Sequence, residues 1–224
     1  MGDPRELDPE LPSKPLQLTL DGHQPRVGPR HVATARHCFL KWQGQLPATI
    51  KFQPNYFDTE RRGHANVVTR IHIPLDGEVG GIGGSICTDR DDWAVGILDS
   101  RLGDTYGFLT PRAFVASELN QPSFYTLGYP GDLNSAAARM YRQEGISFIN
   151  NTSTCDTANP LLLTTADAAG GQSGSPMWKL ENNVRYHYGV ISGGIFQGAN
   201  YLGTYIAGGQ AWVTAVAGAR SNYP

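Results

Sequence analysis

Asp167-Ala168-Ala169-Gly170-Gly171-Gln172-Ser173-Gly174-Ser175-Pro176 is the stretch that decides how the rest of the chain is understood. A serine set between glycines can be held on a tight loop with its hydroxyl exposed. The backbone N–H groups beside it can then point at a developing oxyanion. Gly171 and Ser173 are the candidate donors of such an oxyanion hole, and glycine at 171 gives the backbone the freedom that the turn needs. Taken alone, the same letters also describe a polar surface loop. A serine hydroxyl is inert without a base, and the base needs a carboxylate to orient it.

Two upstream segments supply those partners. Gly28-Pro29-Arg30-His31-Val32-Ala33-Thr34-Ala35-Arg36-His37-Cys38 carries His37 as candidate general base. Asp91-Asp92-Trp93-Ala94-Val95 sets a carboxylate directly before an apolar run. The chain order is His37, Asp92, Ser173, with separations of 55 and 81 residues. Asp92 is preferred to Asp89 and Asp91 because it directly precedes the apolar strand, and acids just upstream are more often solvated loop charges. His23, His31, His64, His72 and His187 lie in no matching pattern and are expected to be surface or structural. Tyr129 and Asp132 belong to a turn, Gly128-Tyr129-Pro130-Gly131-Asp132.

Thr34-Ala35-Arg36-His37-Cys38 resembles the Thr-Ala-Ala-His-Cys signature of trypsin-like enzymes. Asp92-Trp93-Ala94-Val95 resembles their Asp–apolar–Ala–aliphatic element. Gly170-Gly171-Gln172-Ser173-Gly174-Ser175-Pro176 resembles the Gly-Gly-x-Ser-Gly-Ser-Pro of the glutamyl-endopeptidase (V8-like) branch of the chymotrypsin-like serine protease superfamily. The turn at Gly128–Asp132 also looks like a loop common there. The resemblance runs over about residues 27–217, specific at the three motifs and loose between them. It implies an all-β fold: two six-stranded antiparallel β-barrels, a short C-terminal helix, and an active site in the cleft between the barrels. It implies a secreted, monomeric serine endopeptidase acting on a protein or peptide substrate, without cofactor or metal. Ser173 would be nucleophile, His37 base and Asp92 the orienting acid.

The departures from the branch are informative. Asp167 and Ala168 fall by resemblance near the base of the primary pocket. Ile191-Ser192-Gly193-Gly194 resembles the strand that lines this pocket and pairs with the substrate backbone. Glutamate-specific relatives show Thr in place of Ala168 and His in place of Ile191, so a glutamate preference is not expected. Asp167 would suit a basic side chain, although Asp is frequent there without that role. Gln172 stands where trypsin has an Asp, so activation is expected not to use an ion pair to a newly freed N-terminus. Asp21–Val27 replaces the usual Cys-x-Gly strand, leaving Cys38 without its customary partner, and the first barrel is expected to be shortened. A catalytically silent homologue used as a binding module is the competing class, but such proteins usually lose a triad residue and all three are present. A cysteine hydrolase built on Cys38 or Cys155 has no histidine context.

Bulk properties fit these expectations. The 224 residues carry 17% charged side chains and a formal net charge of −2, which gives no basic surface for nucleic acid or membrane. Gly 27 and Pro 15 point to many turns and short strands. No apolar run approaches the ~20 residues that cross a bilayer, and the first fifteen residues lack the apolar core of a signal peptide. Three cysteines, Cys38, Cys87 and Cys155, leave at least one thiol unpaired within the chain, and the pairing stays open. Asn150-Asn151-Thr152-Ser153 holds two overlapping glycosylation acceptors.

Residues 1–15 look like a flexible arm, and 16–224 like the protease-type domain. Its first barrel is expected at about 16–105, its second at about 118–209 and the helix at about 210–219. Strands are predicted at 16–20, 48–52, 67–73, 93–98, 123–129, 138–149, 161–165, 175–180 and 186–192. Leu102–Ser117 is a connector, and Gly77–Gly84, five of whose eight residues are Gly, is a loop.

Overall fold

Short β-branched and aromatic runs broken by glycine and proline dictate strands here, because few segments are long enough to sustain a helix. The computed structural model describes residues 17–21, 25–40, 49–54, 56–57, 60–61, 66–72, 89–133, 139–149, 162–197 and 199–224. The arm at 1–15, His23, His64, Gly77–Gly84, Cys87, Cys155 and Asn150–Ser153 lie outside them. The first strands are β1 (Gln17–Asp21), β2 (Arg26–Gly28), β3 (His31–Ala35), β4 (Thr49–Gln53), β5 (Tyr56–Phe57), β6 (Glu60–Arg61), β7 (Asn66–His72) and β8 (Trp93–Leu98). They are followed by β9 (Thr110–Pro111), β10 (Phe124–Gly128), β11 (Tyr141–Ile146), β12 (Phe148–Ile149), β13 (Leu162–Thr164), β14 (Pro176–Glu181), β15 (Val184–Gln197) and β16 (Asn200–Gly208). Helices are α1 (His37–Leu40), α2 (Leu102–Tyr106) and α3 (Gln210–Asn222).

The first sheet has six strands in the order β1-β4-β7-β8-β3-β2. Every residue of β8 is buried. Trp93, Val95 and Ile97 face one core cluster, while Ala94 and Leu98 face another with Val32, Phe39, Ile50, Phe52 and Val68. A strand covered on both faces needs a continuous apolar run, and Trp-Ala-Val-Gly-Ile-Leu supplies it.

The second sheet runs β11-β10-β14-β15-β16-β13-β12, with β9 beside β15. Only Ser147 separates β11 from β12. One continuous segment therefore pairs with β10 at its start and with β13 at its end, and the sheet closes on itself. Counting β11 and β12 as one strand, the ring is six-stranded, as expected. Phe124, Ile146, Phe148, Leu162, Met177, Tyr188, Ile191 and Ile206 fill it.

Some details correct the sequence-based picture. β1 pairs with β4 in parallel, whereas an antiparallel barrel was expected. The chain passes through β2, β3 and α1 before reaching β4, a connection long enough for a parallel crossover. β15 continues beyond Ser192 through Gly193 and Gly194, and β16 pairs along it despite Gly203 and Gly208. The resemblance places Gly193 and Gly194 on this strand, but no strand is predicted over 200–208, where glycines read as turn signals. The connector holds α2 and β9. α3 buries Trp212, Val216 and Ala219 on one face against the first sheet, with Trp93 and Trp212 edge to face at 5.8 Å.

Candidate active site

The register of β3 and β8 creates the first half of the site. Ala35 pairs with Trp93. One step outward, the Arg36 N–H donates to the Asp92 carbonyl at 3.0 Å, and the next residue is His37. Asp92 is fully buried. Its Oδ1 accepts the His37 backbone N–H at 2.8 Å. Its Oδ2 lies 2.5 Å from His37 Nδ1 and accepts the Ser192 hydroxyl at 2.6 Å. A buried carboxylate is tolerable when hydrogen-bonded on all sides, and three donors meet that need. Asp89 and Asp91 sit in the 3-10 turn before β8, and Asp91 pairs with Arg90 at 3.2 Å.

Nδ1 as the donor to Asp92 leaves Nε2 as the basic nitrogen, a tautomer assigned from the hydrogen bonding. Burial of the ring opposes its charged form. The hydrogen bond and charge of Asp92, helped by Cys38, outweigh that and raise the His37 pKa to about 10.

The serine loop is built by short local bonds. Gln172 is buried, its Oε1 accepts the Ala169 N–H at 2.8 Å, and the Ser175 N–H donates to the Gln172 carbonyl at 3.0 Å. A carboxamide thus shapes the turn from within. Gly171 has φ +99°, and a Cβ there would lie 2.6 Å from the Tyr129 carbonyl oxygen. Ser173 is half-buried.

Gly174 joins the two halves. It has φ +84°, and a Cβ there would fall 2.4 Å from Thr34 Oγ1 and 3.2 Å from the Ala35 nitrogen. The residue after Ser173 therefore abuts the strand that leads into His37. On its other side the Gly174 N–H donates to the Ile191 carbonyl at 2.8 Å, and the Ile191 N–H returns to the Ser175 carbonyl at 2.8 Å. The next residue, Ser192, is the one that bonds Asp92.

The expected pocket residues divide. Ile191 turns its side chain into the second-barrel core and commits both backbone groups to the serine loop. Ser192 orients Asp92, a role that the sequence does not announce. Gly193 is half-buried and Gly194 exposed. Asp167 is exposed, its N–H donates to Gln143 Oε1 at 3.0 Å, and it borders a cavity of about 270 Å³ with Pro130, Arg142 and Gln172. The half-buried Ala168 donates its N–H to the Tyr201 hydroxyl at 3.3 Å. A larger cavity of about 500 Å³ lies between Arg26, Tyr106–Thr110 and Trp178, and none of the candidate catalytic residues lines it. His31 and His187 are buried, and burial pushes His187 down to about 3, so it is a neutral core side chain.

A six-stranded sheet, a closed second barrel and a C-terminal helix packed on the first sheet define the chymotrypsin-like double-barrel fold. Solved structures with this fold include a Glu endopeptidase, with 21% identity and TM-score 0.63 over 87% of this chain and 83% of that one. Another is the protease Anisep from Arthrobacter nicotinovorans, at 18% identity and TM-score 0.62 over 87% of each chain. A thermostable serine protease from an extremophilic microorganism aligns at 18% identity and TM-score 0.57, over 89% of this chain and 86% of that one. No family model matches the sequence, and no curated protein matches it.

Proposed function

We propose that this protein is a serine endopeptidase working through Ser173, His37 and Asp92. The observation that carries the proposal is the buried Asp92 carboxylate, held by the backbone and ring of His37 and by Ser192. Such an arrangement fixes one imidazole tautomer and stabilises the imidazolium, which is what a general base beside an alcohol requires.

In this mechanism Ser173 Oγ attacks the peptide carbonyl while His37 Nε2 takes its proton. The N–H groups of Gly171 and Ser173 receive the oxyanion. His37 then gives the proton to the leaving amine, and an acyl-enzyme remains on Ser173. Water, deprotonated by His37, adds to the acyl carbon; the bond to Ser173 Oγ then breaks, His37 returns the proton to Oγ, and the acid leaves. All of these groups belong to the chain itself.

A fluorophosphonate probe with mass-spectrometric mapping tests the assignment. The parent is expected to be labelled at Ser173 and Ser173→Ala to be inert both to the probe and to peptide hydrolysis. Equal labelling of both proteins would refute it.

A further inference from the structure

Beside the serine loop, β15 runs on from Ser192 into Gly193 and Gly194. These have no side chains and lie between the candidate catalytic groups and the tip of the β15–β16 hairpin. Across from them stands the Ala166–Ala168 wall, the start of the loop that ends at Ser173. By the resemblance described above, these two stretches line the primary pocket, so a substrate side chain next to a carbonyl at Ser173 is expected to point between them.

That space is occupied from below by Tyr201. Ile195 pairs with Gly203 but Phe196 pairs with Tyr201, which leaves Leu202 as an extra residue on β16. Phe196 and Tyr201 lie ring to ring at 5.3 Å. A Cβ built on Gly194 would meet Tyr201 Cε2 at 2.9 Å and Phe196 Cε2 at 3.2 Å. The Tyr201 hydroxyl is stapled to the opposite wall. It donates to the Ala166 carbonyl at 2.7 Å, receives the Ala168 N–H at 3.3 Å and contacts Thr204 Oγ1. Thr204 is itself buried and bonds the same carbonyl at 2.6 Å. The phenol therefore bridges both walls and is anchored at its tip. What remains around it is a methyl group at Ala168 and bare backbone at Gly193 and Gly194. Asp167, the acid in that wall, has its N–H on Gln143 and borders the cavity of about 270 Å³.

We infer that Tyr201 is a specificity-determining residue that floors the substrate pocket, so that bonds are cut after small uncharged residues such as alanine or serine. This rests on the endopeptidase proposal above. A long aliphatic, aromatic or charged side chain would have to displace a ring held by hydrogen bonds at its far end.

The test is a panel of fluorogenic peptides differing only in the residue before the cleaved bond: Ala, Ser, Leu, Phe, Arg and Glu. It is run on the full chain, on Tyr201→Phe, and on Tyr201→Ala, with fluorophosphonate titration of Ser173 alongside. The parent should show kcat/KM for Ala and Ser at least tenfold above the other four. Tyr201→Phe keeps the ring and should keep that order. Tyr201→Ala should raise the Leu-to-Ala and Phe-to-Ala ratios tenfold or more. Tyr201→Leu, a shorter apolar filler, should move them in the same direction and stands in if Tyr201→Ala does not fold. A parent that reacts with the probe yet cleaves after Leu, Phe, Arg or Glu as well as after Ala overturns the inference alone. So does an unchanged ratio in Tyr201→Ala or Tyr201→Leu. A parent inert to both probe and peptides overturns the endopeptidase proposal, and this inference with it.

Discussion

Replacing Asp92 by Asn changes one atom and should disable the base by reversing its tautomer. The Oδ1 position faces the His37 backbone N–H, which can only donate, so the Asn carbonyl must stay there. The amide NH₂ then takes the Oδ2 position, opposite His37 Nδ1 and the Ser192 hydroxyl. Against an NH₂ group, Nδ1 must become the acceptor, which moves the proton to Nε2. An Nε2 that already carries hydrogen cannot accept one from Ser173. Loss of the correct tautomer in such a triad costs about 10⁴ in kcat, or about 5.5 kcal/mol of transition-state stabilisation. The assay is steady-state hydrolysis of a peptide ending in Ala at the cleaved bond, near pH 8, with active-site titration and a thermal melt to confirm folding. KM should move little, because the substituted atom touches no substrate. A folded Asp92→Asn enzyme retaining kcat within tenfold of the parent would refute the tautomer argument and the role of Asp92.

Because Asp92 raises the His37 pKa above the ordinary 6.5 or so, the acid limb of kcat/KM should lie above that value, with activity still climbing past pH 7; a limb at or below pH 6 would contradict this. The same raised pKa stabilises the fold fully below about pH 6.5 and stops contributing as pH rises toward 10, so the stability gap between the parent and His37→Gln in urea should narrow over that window. Gly171→Ala forces a side chain onto φ +99° and against the Tyr129 carbonyl. It should destabilise by about 1–3 kcal/mol and lower kcat by about 10²–10³ through a displaced oxyanion donor, and near-parental kcat would argue against that donor. In the second barrel, the Tyr188 hydroxyl donates to buried Glu118 at 2.5 Å. Tyr188→Phe should cost about 1.5–3 kcal/mol in urea unfolding, and a loss near zero would show that Lys179 and Arg112 satisfy that carboxylate without it.

The fold was legible wherever side-chain pattern and burial coincide. Trp93–Leu98 is a buried strand in both sequence and structure because both of its faces are covered. β16 was not, because Gly203 and Gly208 each sit where a neighbouring strand comes too close for a Cβ, and isolated glycines look like breaks when the neighbour is unseen. At the site, the structure sets Asp92 against His37 and Gly174, the residue after Ser173, against Thr34. Ser192 was legible as a residue but not as a role, since its target lies 100 positions away. Tyr201 carried no signal at all. Its position follows from one extra residue in β16, and such a bulge leaves no mark in a one-dimensional pattern.

The packing of α3 sets an order of events in folding. Trp212, Val216 and Ala219 complete the core above Ala33, Ala35 and Trp93, and Arg220 Nε reaches across 193 residues to the Val27 carbonyl at 2.5 Å. The strands that flank His37 and Asp92 thus lack this layer until α3 packs against them. Contacts of such range form late, since the loop they close must first be paid in entropy. The placement of His37 against Asp92 thus leans on a thirteen-residue helix far from both of them in sequence.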